Sequence, residues 1–490
     1  MKINQFSGRA AGSALALVAT LLTGCDTVKT NLLEAVNPTI IDPSSVESAA
    51  GATAVKNGAL SRLRSATADG ESTWMFGGLL ADEWGTSSTF VQNDETDQRN
   101  TTLNNGTVQS ELRALYRVRT SANQAIPLLL KYKPTAAADT SGGAASHPSD
   151  IAEMYFARGF AEMTLANDFC NGIPLSDGVT GTLGQPLTVA QVFAAASASF
   201  DTAMTYSSNA TDAPSVIINR AARIAKARTL QSLGKSQYAA AAALVAGIPN
   251  SFRYDVTASL TGGILTLWDQ AASQNRYTVG DSAQPNVRTA RIGNALPFGS
   301  AKDRRVPARY KLASNNKDSV KSQDGGTYVV MVDSLWGQTS AVALTHGLDA
   351  RLIEAENYLN LGDVTNWLAT LNALRAAGNI VITAPSPTST GTHPGWTVPV
   401  MPALTDPGTA AGRVALMFRE AAFWEYGRGF RLNNLRRMIR DYGYPADGSG
   451  NFPTGPHYKG GNYGPDVNLP VTSDEAVGNP HFSLCLDRKA

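Results

Sequence analysis

Apolar residues recur at intervals of three and four along most of this chain, the spacing of an amphipathic helix. Between Val108 and Tyr132 they are Leu112, Leu115, Val118, Ala122 and Ile126. Between Ile151 and Phe169 they are Met154, Ala157, Phe160, Ala161 and Leu165. The same period predicts helices over Val46–Ser65, Val189–Tyr206, Ser215–Leu233, Gln237–Ala246, Thr345–Leu361 and Thr365–Ala377, and one long helical stretch over Gly412–Tyr442. Trp367 and Trp424 fall at helical spacing with Leu368, Leu371 and Phe423, which assigns them to packing. The pattern predicts a mostly α protein.

Two helical pairs share a turn. Leu233-Gly234-Lys235 leads into Tyr238, and Leu361-Gly362-Asp363 leads into Trp367. A glycine at a helix end accepts the left-handed conformation that closes a helical hairpin. An aromatic a few residues later then packs back on the first helix, as in tetratricopeptide units. These pairs are expected within about 108–246 and 345–377. Polar, Gly- and Pro-rich stretches over 69–106, 248–337, 380–409 and 443–480 interrupt the helices. Loops this long in a compact protein are functional or disordered, and their scattered aromatics argue for order.

The chain opens differently. Lys2 and Arg9 precede an uncharged run from Ala10 to Leu22, too short to span a bilayer but suited to the apolar core of a secretion signal. Leu22-Thr23-Gly24-Cys25 then reads as a lipobox, with Cys25 acylated and residues 1–24 removed. Residues 25–45 form a tether and 46–490 the folded domain. Export leaves Cys170 and Cys485 in an oxidising compartment, where the even count points to a disulfide; two buried thiols are the alternative.

Composition narrows the function. Lys plus Arg is 41 against 40 Asp plus Glu, without the basic excess of a nucleic-acid binder. The 490 residues are 43% hydrophobic, enough for a sizeable core, and only 17% charged. The five histidines, at 147, 346, 393, 457 and 481, form no close pair, so a zinc site of ordinary spacing is not expected. No G-x-S-x-G elbow is present, and Gly234-Lys235-Ser236 lacks the first glycine of a P-loop. Asp94, Glu95 and Asp97 read as a solvated acidic loop before they read as a calcium site. No catalytic constellation and no cofactor site is expected.

Several segments, taken in order, resemble the SusD/RagB family of nutrient-uptake outer-membrane lipoproteins. They are the lipobox at Cys25; the entry from Asp42-Pro43 to Gly58-Ala59; Tyr116 to Asn123; and Ala157 through Gly172-Ile173-Pro174-Leu175. They continue with Arg220 to Tyr238, Ala350 to Arg375, Phe418-Arg419-Glu420 through Glu425, Gly429, Arg431 and Arg437, and finally Leu469-Pro470 to Pro480. Arg428 and Asn434 replace acids that the family usually carries, which puts an internal charge pairing in doubt. The resemblance implies a SusD-like α-helical fold of four tetratricopeptide-like pairs with a loop-rich ligand-facing half. It further implies a surface lipoprotein that captures an oligosaccharide or other nutrient for a SusC-like TonB-dependent transporter, with a non-binding lid or scaffold of that transporter as the alternative. Membrane contact would be through the lipid anchor only.

Sugar faces stack on flat aromatic rings, so a capture site needs exposed aromatics on loops beside polar groups. Trp84, in the polar run Asp82-Glu83-Trp84-Gly85, is the first candidate. Trp74, Trp268, Tyr277 and Trp336 are further candidates for the same groove.

Overall fold

The computed structural model describes residues 46–69, 73–132, 148–282, 292–447, 451–482 and 484–490. Cys25, the signal and the tether lie outside the described residues. The chain divides into two units, residues 1–48 and 49–490, and the second holds all the elements below.

Helices dominate that unit. In chain order they are α1 (Ala49–Thr67), α2 (Thr73–Ala81), α3 (Val91–Asp97), α4 (Gly106–Tyr132), α5 (Pro148–Asp168), α6 (Val189–Tyr206), α7 (Ala213–Ser232) and α8 (Tyr238–Val245). The single turn α9 (Thr266–Trp268) follows, then α10 (Gly347–Asn360), α11 (Val364–Ala377), α12 (Ala410–Trp424), α13 (Arg431–Tyr442) and the short α14 (Glu475–Gly478). Successive helices pack side by side: α1 on α4, α5 on α6, α7 on α8, α10 on α11, with α4 on α5, α6 on α7 and α8 on α10 joining the pairs. Four helical pairs thus stack into one array, as the resemblance implied. Thr188 caps α6 in a reciprocal box with Gln191, and Asp212 and Asp363 cap α7 and α11. Gly234 (φ +116°) and Gly362 (φ +73°) close two of the turns in backbone conformations that a side chain would oppose.

The strands are short and pair only in twos, all antiparallel. Two of them, β1 (Trp84–Thr86) and β2 (Tyr277–Val279), bring the first insert against the second, with Trp84 opposite Val279 and Thr86 opposite Tyr277.

The stretch over Gly412–Tyr442 is not one helix. It breaks at Tyr426-Gly427-Arg428-Gly429 because Gly427 and Gly429 take φ +68° and +74°. A Cβ on Gly429 would lie 2.0 Å from Trp74, and one on Gly427 would lie 2.3 Å from Trp336. The main core therefore threads tryptophans from both inserts through the gap between α12 and α13. A second apolar cluster joins α10, α11 and α12 around Trp367, Leu371, Met417 and Trp424.

Arg428 is paired after all, differently from the family pattern. It forms a two-pronged bond to Asp349 on α10 (2.8 and 2.9 Å), while Asn434 donates to Glu425 (3.0 Å) and Arg228 on α7 also reaches Asp349 and Glu425. Arg437 bonds Glu356. These buried pairs tie α7, α10 and α13 together. Cys170, just after α5, is bridged to Cys485 in the C-terminal tail. No helix among the described residues is long and apolar enough to cross a membrane.

Candidate functional site

The polar run that marked Trp84 as a loop residue is itself interior. Asp82 is fully buried and bonds Arg431 through both oxygens (2.7 and 2.9 Å). Glu83 is 1% exposed and accepts from Gly427 N (3.1 Å). Burial pushes the Glu83 carboxyl up to about 8, against the Gly427 N–H that favours its ionised form. Between these groups Trp84 is 0% exposed, with its ring 5.2 Å from Tyr426 and 6.4 Å from Trp336. Trp74 and Trp336 are buried equally well. These three tryptophans present no face to a ligand, which corrects the expectation from sequence: they are the core on which the loops rest. Trp268 is half-buried against that core and is not among the residues lining the cleft described next. Asp94 and Glu95 are engaged by Lys459 and by Thr102 and Asn105, and the fully buried Asp97 accepts from Thr86 N (2.7 Å). Asp94 and Glu95 remain partly exposed while Asp97 is buried, and no group of three or more His, Cys, Asp or Glu among the described residues is placed to hold a metal.

Tyr277 is also buried, but unlike the tryptophans it lines a cleft. It lies in β2 opposite Thr86, and Ser87 N donates to Arg276 O (2.9 Å), so the strand pair continues toward the surface. There the inserts and the start of α4 enclose a cleft of about 270 Å³. Met75, Phe76 and Tyr277 give it apolar walls, and Asn93, Thr107, Ser110, Gln270 and Arg276 supply polar groups. Tyr277 is 4% exposed and its hydroxyl accepts from Asn93 Nδ2 (3.2 Å). Burial pushes its phenol up, so it stays neutral. Phe90 is the one lining residue that is exposed, at 46%. The Arg276 guanidinium stands 5.1 Å from the Phe90 ring centroid and 3.4 Å from Gln270 Oε1. The arrangement pairs an accessible ring with hydrogen-bonding groups on a rigid base, the chemistry a sugar ring needs.

Phe90 was missed from sequence. The signal was there: it is the one aromatic in the run from Gly85 to Asp97, six residues beyond the tryptophan that drew attention. A second cleft, about 310 Å³, lies among α1, α5 and the strand at Arg253–Val256. Its main polar groups are already engaged: Tyr254 OH donates to Glu153 (2.7 Å), Arg64 donates to Gly262 O (2.7 Å), and Asp255 accepts from Arg253 (3.1 Å). It is the poorer candidate.

No family model matches this chain, and no curated protein does. Solved structures do. Surface glycan-binding protein A from Bacteroides uniformis aligns with TM-score 0.60 at 14% identity, over 89% of this chain and 98% of that one. B. fragilis NanU aligns with TM-score 0.59 at 12% identity, over 93% and 100%. A SusD superfamily protein from Bacteroides vulgatus aligns with TM-score 0.57 at 12% identity, over 89% and 98%. The likeness spans the helical array and the inserts together, and at this identity it is a likeness of fold: the chain has the SusD fold.

Proposed function

We propose that this protein is a non-catalytic, lipid-anchored surface protein that captures an oligosaccharide in the Phe90–Tyr277 cleft and delivers it to a SusC-like TonB-dependent outer-membrane transporter. The observation that carries the reading is the exposed Phe90 ring beside Arg276, Asn93, Gln270 and Ser110, at a cleft built from the two inserts. The name of the B. uniformis neighbour, a glycan-binding protein, supports the ligand class. Acylation at Cys25 supplies the anchor, and the stacked helical pairs supply a broad face for the transporter.

A glycan array probed with the soluble domain, followed by titration of its best ligand, tests this reading. Phe90→Ala is expected to weaken that ligand by about 1–3 kcal/mol, the effect of losing a binding anchor. An array with no saccharide bound, or a ligand indifferent to Phe90→Ala, sinks capture at this cleft. A chain that binds no glycan yet co-purifies with a TonB-dependent transporter is a lid or scaffold.

A further inference from the structure

The cleft between the inserts holds a cation that the protein does not neutralise. Arg276 stands immediately before β2, and its backbone is fixed on both sides: its N–H donates to Gln270 O (2.8 Å) and its carbonyl accepts from Ser87 N (2.9 Å). Its side chain lines the cleft beside Phe90 and Tyr277. Nη1 reaches the neutral amide oxygen of Gln270 at 3.4 Å, and the guanidinium carbon lies 5.1 Å from the Phe90 ring centroid. Nε is buried and has no hydrogen-bond partner. Among the described residues no carboxylate comes within ion-pair reach of this guanidinium. The buried arginines elsewhere are matched: Asp82 holds Arg431, Asp349 holds Arg428 and Glu356 holds Arg437.

One acidic residue, Glu111, also lines the cleft, and it is only 2% exposed. Burial and the Glu111 carboxylate push the Tyr277 phenol up, while the Arg276 charge pushes it down. Both charges therefore act on the same wall without pairing with each other. Water is left to solvate Arg276. A neutral sugar that filled the cleft would strip that water and leave the guanidinium uncompensated, which costs free energy. A carboxylate on the sugar removes the cost, because its two oxygens match the planar guanidinium fork. The Phe90 ring and Gln270 hold the fork beside the place where the sugar stacks.

We propose that Arg276 sets the specificity of this cleft, and that the saccharide unit stacked on Phe90 carries a carboxylate, as a uronic acid does. The proposal rests on the reading of the cleft as a saccharide site and adds the charge of its ligand. Phe90 takes the apolar face of the sugar, Arg276 takes the carboxylate, and Asn93, Thr107 and Ser110 serve the hydroxyls.

The test is calorimetry of the soluble domain at low salt with paired probes: trisaccharides of glucuronate, galacturonate and mannuronate, and the same trisaccharides with every carboxyl reduced to the neutral alcohol. A uronate is expected to bind about ten- to a hundredfold tighter than its reduced partner, the effect of charge-assisted bonds to one guanidinium. Added salt is expected to weaken the uronate and leave the neutral probe unchanged. Arg276→Gln is expected to erase the difference within the pair, and Arg276→Lys, which keeps the charge without the fork, to restore part of it. The readout is a ratio of two affinities, so a general loosening of the cleft does not mimic it. Phe90→Ala is expected to weaken both members of the pair. Uronate and neutral probes binding alike, both weakened by Phe90→Ala, would overturn the proposal and leave the cleft standing as a saccharide site. A uronate preference that persists in Arg276→Gln would overturn it as well. Binding of neither set would overturn both readings.

Discussion

Trp84 and Phe90 stand six residues apart and do opposite work. Trp84 is a fully buried ring in an aromatic cluster with Tyr426 and Trp336, and Phe90 is half in solvent. Trp84→Ala is expected to cost about 3–5 kcal/mol of stability through the cavity it leaves. Phe90→Ala is expected to change stability by about 0.5 kcal/mol or less. Urea denaturation of the two variants measures both, and a Trp84→Ala protein as stable as the parent would show that the ring is not core. Beside Trp84, the Glu83 carboxyl titrates near 8 in the folded protein against an ordinary 4.5. The sign follows from linkage: the unfolded chain loses this proton first, so the group's contribution to stability is whole below about pH 4.5 and is lost as pH rises toward 8. Glu83→Gln, which stays neutral throughout, is expected to flatten the fall in melting temperature between about pH 4.5 and 8. An unchanged pH profile would contradict the buried, protonated state. The sequence made Trp84 visible and hid its role, because Asp82 and Glu83 look solvated until Arg431 and Gly427 are seen facing them.

The break between α12 and α13 is the element on which the core depends. Apolar periodicity runs on through residues 412–442, so nothing in the spacing marks the interruption. The glycines at 427 and 429 are needed because tryptophans that arrive from distant inserts occupy the space of their absent side chains. Gly429→Ala combines a left-handed backbone with a clash on the Trp74 ring, and it is expected to unfold or strongly destabilise the protein. Gly362→Ala, also left-handed but with nothing within 4 Å of the new Cβ, is expected to cost only about 1–2 kcal/mol. Thermal melts of the pair separate backbone strain from steric exclusion, and equal losses would rule out the threading of Trp74 as the cause.

At the scale of the whole molecule, contacts between distant segments hold the array to the inserts. The bridge between Cys170 and Cys485 joins residues 315 apart and pins the C-terminal tail beside α5. A cross-link closing so long a loop is worth about 5 kcal/mol in the entropy model. The double variant Cys170→Ser/Cys485→Ser is expected to lose a few kcal/mol, with the tail the first segment opened to protease. Non-reducing peptide maps with both thiols free would contradict the bridge. The buried pairs Arg428–Asp349, from the break before α13, and Arg437–Glu356, from α13, act likewise toward the fourth helical pair.

The sequence by itself determined most helices of the array and two of its pairings, α7 with α8 and α10 with α11. A helix carries its buried face in a local period, and a turn glycine announces itself between two such periods, so α4 to α8, α10 and α11 were legible within a few residues. The two helices within the first insert, α2 and α3, were not. One is apolar on every side and the other is a turn of polar residues, so neither has a period to read. The site was half legible. Tyr277 was named and Phe90 was not, because exposure is not a property of a residue or its neighbours in the chain. It is set by which remote groups arrive: Arg431 to neutralise Asp82, Tyr426 and Trp336 to cover Trp84, and only the Arg276 guanidinium over one side of Phe90. Those meetings span hundreds of residues, and only the tertiary structure decides them.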